Sequence, residues 1–151
     1  MTNGQRQAHK LTAAPDAPAA GTGVPRPFGL FMLAEAATLG IASYLHRNGR
    51  ISLGFTVIHG EHFPRASLPE AIIGAVLVLG SAIVLAAPAR ARRAAIFATS
   101  FAIFGVLAGT AFVLISGRPS ITIDLTYHGV LLAALVSTLV TLAVRPPPRR
   151  R

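Results

Sequence analysis

Five side chains in this sequence combine acid–base chemistry with a setting where charge is expensive. Glu35, Glu70 and Asp124 are three of the chain's five acidic residues, and His46 and His128 are two of its five histidines; all lie in long apolar runs. Carboxylates and imidazoles brought together can share a proton, hold a cation or ligate a metal. Glu35 stands in FMLAEAATLGIASYLH (31–46), with no basic residue within eight positions on either side. A carboxylate in the middle of a bilayer costs about 2.5–3.5 kcal/mol on insertion scales, so it is expected to face protein rather than lipid. His46 follows eleven residues later, close to three helical turns, so Glu35, Thr38, Ala42 and His46 fall on one stripe. In ITIDLTYHGV, Asp124 and His128 are four apart and share a helix face. The helical rise puts His128 about 12 Å and Glu35 about 16 Å below the same surface. If their helices adjoin, the two form either a buried hydrogen bond that fixes helix register or a site for protons, ions or a ligand. His46, Glu70 and Asp124 then lead from that centre toward the outer face.

Glu70 and Asp124 also have plainer readings, whereas no cap or interface rule places Glu35 and His128 so deep. SLPE (67–70) has the form of a capping box, with Ser67 as N-cap, proline in the first turn and Glu70 reaching back. Asp124 suits a helix N-terminus, where the dipole favours negative charge. Tyr44 and Tyr127 fit the aromatic belt of a membrane interface. A metal reading would gather His46, Glu70, Asp124 and His128, with His59 or His62, as ligands for zinc or non-haem iron. The spacing matches no compact metal motif, and haem between His46 and His128 would need the two at one depth. No phosphate-binding glycine loop, nucleophile elbow or HExxH occurs, so no metal or cofactor is expected. The absence of cysteine removes disulfides, thiolate ligands and cysteine nucleophiles.

The elements that must position these residues are membrane spans. Of the 151 residues 52% are hydrophobic and 13% charged, with mean hydropathy +0.59; a soluble domain carries about twice that charge. The apolar residues fall into four blocks free of lysine and arginine, at 28–46, 68–87, 94–116 and 121–144. Each is long enough to cross a hydrocarbon core of about 30 Å. The expected class is an all-α membrane protein, with four transmembrane helices in an up-down antiparallel bundle (28–144). The proline- and alanine-rich residues 1–27 are expected to form a disordered cytoplasmic tail, and RPPPRRR (145–151) a basic one that stops the last helix.

The net charge of +9 would point to nucleic acid in a soluble protein. Here it reads as topology, and no nucleic-acid partner is expected. Ten of the 14 lysines and arginines fall before span one, between spans two and three, or after span four, against four on the other side (Arg47, Arg50, Arg65 and Arg118). By the positive-inside rule both termini are cytoplasmic in a cell (inner or plasma) membrane. The first span follows a 27-residue polar lead and reads as an uncleaved signal anchor. The short connections PARARR (88–93) and GRPS (117–120) force neighbouring spans to run antiparallel. The outer connection 47–66 is longer. Its alternation at Ile51, Leu53, Phe55 and Val57 predicts a short extended or interfacial segment. Gly105 and Gly109 form a small-xxx-small pair that serves helix packing within the bundle or a homo-oligomer.

The run LAEAATLGIASYLH, then PEAIIGAVLVLG, then YHGVLL resembles the small four-span integral membrane proteins of high-GC actinobacteria, which are uncharacterised and bring no assigned activity. LAEAATL is also similar to the first helix of small multidrug-resistance transporters, whose membrane-embedded glutamate exchanges protons for cationic drugs. That local resemblance implies Glu35 as the proton and cation site. The chain departs from those transporters in lacking tryptophan, in its greater length, and in a charge bias that fixes one orientation.

The residues and spans together predict an accessory, stability or sensing component of the membrane rather than an enzyme, with its polar centre at Glu35 and His128. A small proton-coupled transporter using Glu35 is the alternative. A membrane oxidoreductase or metal-binding subunit using the outer-face histidines is the second.

Overall fold

The computed structural model describes residues 24–60, 62–116 and 121–144. The expected tail up to residue 23, the GRPS connection and the C-terminal basic tail lie outside the described residues. Four helices carry the fold: α1 (Arg26–Asn48), α2 (Pro64–Ala86), α3 (Pro88–Ser116) and α4 (Ile121–Val144). All four are long and apolar enough to cross a membrane, and the all-α, four-span class holds. Each packs on its neighbour in the sequence, α1 on α2, α2 on α3 and α3 on α4, while α1 and α4 scarcely touch.

Proline sets where two helices start. Pro88 opens α3 directly after the last turn of α2, so PARARR is not a connecting loop but the first turns of α3. A proline at the start of a helix loses no hydrogen bond there, because the first N–H groups have no partner in any case. Pro64 likewise opens α2, with Phe63 at the N-cap, one turn earlier than SLPE predicts. Ser67 is therefore inside the helix, Pro69 is tolerated in its second turn, and Glu70 is no capping residue. The capping-box expectation fails because the helix had already begun. α1 ends on Gly49, whose φ of 73° lets its N–H reach the carbonyl of Leu45 at 2.7 Å. Left-handed backbone of that kind suits glycine because it has no Cβ to collide.

The core is built from large residues facing small ones. α3 presents Ala91, Ala95, Ala98, Ala102 and Val106, all buried and at helical spacing, against Leu77, Ile73 and Val84 of α2. The alanines bring the backbones of α2 and α3 close enough that a Cβ placed on Gly80 would sit 2.5 Å from that of Ala98. α1 is fastened to α2 by hydroxyls that donate to main-chain carbonyls: Ser81 to Gly29 at 2.6 Å and Ser43 to Ser67 at 2.8 Å. In hydrocarbon no water competes for such groups. At the other end of the bundle Arg92 of α3 donates to the carbonyls of Leu142 (3.1 Å) and Ala143 (3.3 Å), satisfying the end of α4.

The segment predicted as extended is a two-stranded antiparallel hairpin, β1 (Arg50–Ser52) and β2 (Val57–His59), with Ile51 opposite Ile58. Gly54 has φ 84° in its turn. The hairpin is tied back by Gly60 N–H to the carbonyl of Gly49 (3.0 Å) and Phe63 N–H to the carbonyl of His46 (2.7 Å). Its apolar side chains Leu53, Phe55, Val57 and Ile58 are exposed, Phe55 at 89%, while Ile51 is half-buried.

Candidate functional site

Three helix ends bring four of the five singled-out residues together. His46 comes from the last turn of α1, Glu70 from the second turn of α2, and Asp124 with His128 from the first two turns of α4. His46 Nδ1–H donates to Glu70 Oε2 at 2.8 Å. His128 Nδ1–H donates to the main-chain carbonyl of Asp124 at 2.8 Å and lies 3.3 Å from Asp124 Oδ1. These contacts decide the tautomers. A carbonyl or carboxylate oxygen accepts, so both imidazoles carry hydrogen on Nδ1, and each Nε2 is an acceptor when its ring is neutral and a donor when it is protonated. Each Nε2 points at a carboxylate just beyond hydrogen-bonding distance: His46 Nε2 is 3.7 Å from Asp124 Oδ1, and His128 Nε2 is 3.8 Å from Glu70 Oε1. Glu70 Oε1 is buried without a hydrogen bond.

Aromatic rings frame the cluster. Phe63, at the start of α2, meets the His46 ring edge-on at 6.3 Å and stacks on Phe112 of α3 at 6.3 Å. Tyr127 meets the His128 ring at 5.1 Å in a T-shape. Its hydroxyl reaches toward Thr38 of α1, 3.5 Å away. Sequence reasoning placed Tyr127 as an interface anchor; its place one residue before His128 turns it toward the same helix gap.

Cavities adjoin the cluster on two sides. Where α1 and α4 diverge they leave a cleft of about 690 Å³, bounded by Thr38, Ile41, Leu45 and Tyr127, with His46 and Asp124 in its wall and His59 and Gly60 of the hairpin at its outer edge. A second cavity of about 440 Å³ lies between α2, α3 and α4 and reaches Glu70, Asp124 and His128 past Phe104, Gly105 and Phe112. The role of His59 was not legible beforehand, because nothing in its spacing showed that the hairpin folds back on α1.

Glu35 stands apart. Its side chain is buried (5% exposed), as its position demands, and faces the protein. Neither carboxylate oxygen has a hydrogen-bond partner, so the expected Glu35–His128 bond does not form. The polar side chain beside it is Thr138 of α4, ten residues further along that helix than His128. Nearby on the stripe, the Thr38 hydroxyl donates to the carbonyl of Glu35 at 2.8 Å. The polar column is therefore divided between an outer cluster and a lone inner carboxyl.

No group of three or more histidine, cysteine, aspartate or glutamate side chains among the described residues is arranged to hold a metal ion. The side chains in the cluster bond to one another and to main chain rather than converging on a common centre. No known family, curated protein or solved structure matches this chain. Its chemistry therefore has to be argued from the cluster itself.

Proposed function

We propose that this multi-pass membrane protein is an accessory or sensing component whose working centre is the cluster of His46, Glu70, Asp124 and His128, taking up and releasing protons at the two Nε2 atoms. The observation that carries this reading is the pair of cavities flanking the cluster. A polar group that only pinned helix register would be sealed by apolar packing, as the hydroxyl tie of Ser81 to Gly29 is. Protonating either Nε2 creates a donor aimed at a carboxylate that is already within 4 Å, so proton binding would draw α1, α2 and α4 together.

Tyr127 provides a built-in probe, since the chain has two tyrosines and no tryptophan. The groups facing it and the cluster are His46 from α1, Glu70 and Arg65 from α2, Asp124 and His128 from α4, and His59 from the hairpin; α3 contributes Phe112 and Gly109. In Tyr44→Phe protein in liposomes, Tyr127 emission should step as outside pH moves between about 5 and 8, where imidazoles exchange protons. The step should vanish in His46→Gln/His128→Gln. A flat emission in the parent protein would overturn the reading.

A second reading is supported by Glu35: a buried carboxyl without a hydrogen bond is the arrangement expected of a proton or cation carrier. In that case Glu35→Gln vesicles lose proton-driven uptake of a cationic dye. Uptake equal to that of the parent protein, or none in either, sinks it.

A further inference from the structure

Besides reaching the cluster, the cleft between α1 and α4 has the form of a ligand site. Its volume of about 690 Å³ lies in the range of small-molecule pockets, roughly 300–1,000 Å³. Ile41 and Ile123, both exposed and both within spans, stand at its mouth, so the mouth faces hydrocarbon. Its wall includes a polar stretch formed by the buried His46 and by Asp124. A molecule entering from the bilayer would leave an apolar tail between Ile41, Ile123 and Leu45 and present its head to the cluster.

The hydrogen-bond inventory selects the head. Both Nδ1 hydrogens are already committed, to Glu70 and to the Asp124 carbonyl. In the wall of this cleft, neutral His46 leaves the Nε2 lone pair as an acceptor, beside the Asp124 carboxylate. The cluster is short of donors, and a hydroxyl supplies one. Fixed charge on the head is disfavoured from both signs. An anion would meet Asp124, and a cation would have to shed its hydration to reach a buried wall. The Tyr127 ring beside His128 gives a flat head an aromatic neighbour.

We infer that the cleft binds a membrane-borne amphiphile with an uncharged, hydroxylated ring as its head, of the hydroquinone or alkylphenol type, the ring hydroxyl donating to His46 Nε2 or Asp124. No electron transfer is part of this: the chain is the binder. The inference rests on the cluster being the working centre, and the test separates the two.

The probe is radiolabelled decyl-hydroquinone, titrated under argon against the full chain in lipid nanodiscs, with empty nanodiscs measuring simple partition. Saturable binding at one site per chain is expected. Ala42→Phe and Ala42→Leu place bulk on a half-buried cleft position one turn from His46 while leaving all four cluster side chains in place. They should weaken binding about tenfold, the equivalent of losing one hydrogen bond to a charged group, while keeping the Tyr127 pH step and the melting temperature. Unlabelled decyl-hydroquinone should displace the label; decanoate and decyltrimethylammonium should not. Uptake no greater than into empty nanodiscs, equal binding by both Ala42 variants, or equal displacement by the ammonium compound overturns the inference. If the pH step survives such a result, the ligand assignment falls alone; if the step is missing too, the reading of the cluster falls with it.

Discussion

At the scale of single residues, His46 and Glu70 are the pair on which the outer cluster turns. Both side chains are largely buried, 11% and 6% exposed, and they bond at 2.8 Å. Removing one member of such a pair leaves the other desolvated without compensation, which costs about 3–5 kcal/mol, whereas replacing both by apolar side chains of similar volume is often neutral or stabilising. His46→Ala should therefore lower the melting temperature in detergent sharply, and His46→Leu/Glu70→Met should recover most of the loss. The double variant should show a smaller Tyr127 pH step, the part that His128 alone supplies. A double variant as unstable as the single one would make the pair a structural pin and nothing more. The sequence made both residues candidates but did not pair them. Glu70 was hidden by a local rule, because SLPE satisfies a capping pattern and only Pro64, opening the helix a turn sooner, releases the glutamate to face α1. The Glu35–His128 pairing failed for a different reason. Helical rise gives depth along each span but not which faces meet, and α4 brings Thr138 rather than His128 beside Glu35.

At the scale of elements, the spans were legible because twenty-residue apolar runs without lysine or arginine leave few other structures open. The alternation at 51, 53, 55 and 57 predicts one extended segment, whereas the strands cover only Arg50–Ser52 and Val57–His59 and Leu53 and Phe55 fall in the turn between them. Packing partners were less legible, since a small residue is the same letter whether it meets a neighbour or open space. Gly80 and Gly109 illustrate this. A Cβ on Gly80 would meet the Cβ of Ala98 at 2.5 Å and the Met32 terminal methyl at 2.9 Å; on Gly109 it would meet nothing within 4 Å. The Ala98 atom cannot swing aside, so Gly80→Ala must push α2 from α3, at about 1–3 kcal/mol for overpacking. Gly109→Ala should leave the melting temperature unchanged or raise it slightly through helix propensity. Equal melting of the two variants in the same detergent would contradict the close α2–α3 approach. Gly105 is crowded by Ile73 of the same chain, so a homo-oligomer through the Gly105/Gly109 stretch would have Gly109 as its open contact.

At the scale of the whole molecule, the cluster, cleft and hairpin all sit at one end of the bundle, and among the described residues Arg26, Arg90, Arg92 and Arg93 sit at the other. Arg92 shows that this basic end is also structural, because its guanidinium closes the carbonyls of Leu142 and Ala143. If all four helices cross the membrane, α1 starts and α4 ends on the same side, and by the ten-to-four distribution of lysine and arginine that side would be the cytoplasm. The hairpin, the cleft mouth and the cluster would then belong to the outer half of the membrane, where a sensing or ligand-binding centre meets outside pH and outer-leaflet molecules. The chain contains no cysteine, so single cysteines can report sidedness without background. Thr56→Cys, at the exposed hairpin tip, should react with a membrane-impermeant maleimide in intact cells, and Arg149→Cys only after the cells are opened. The opposite pattern would place the cluster on the cytoplasmic side. The Tyr127 step would then have to follow inside rather than outside pH, because the four side chains meet at the hairpin end whichever way the bundle is inserted.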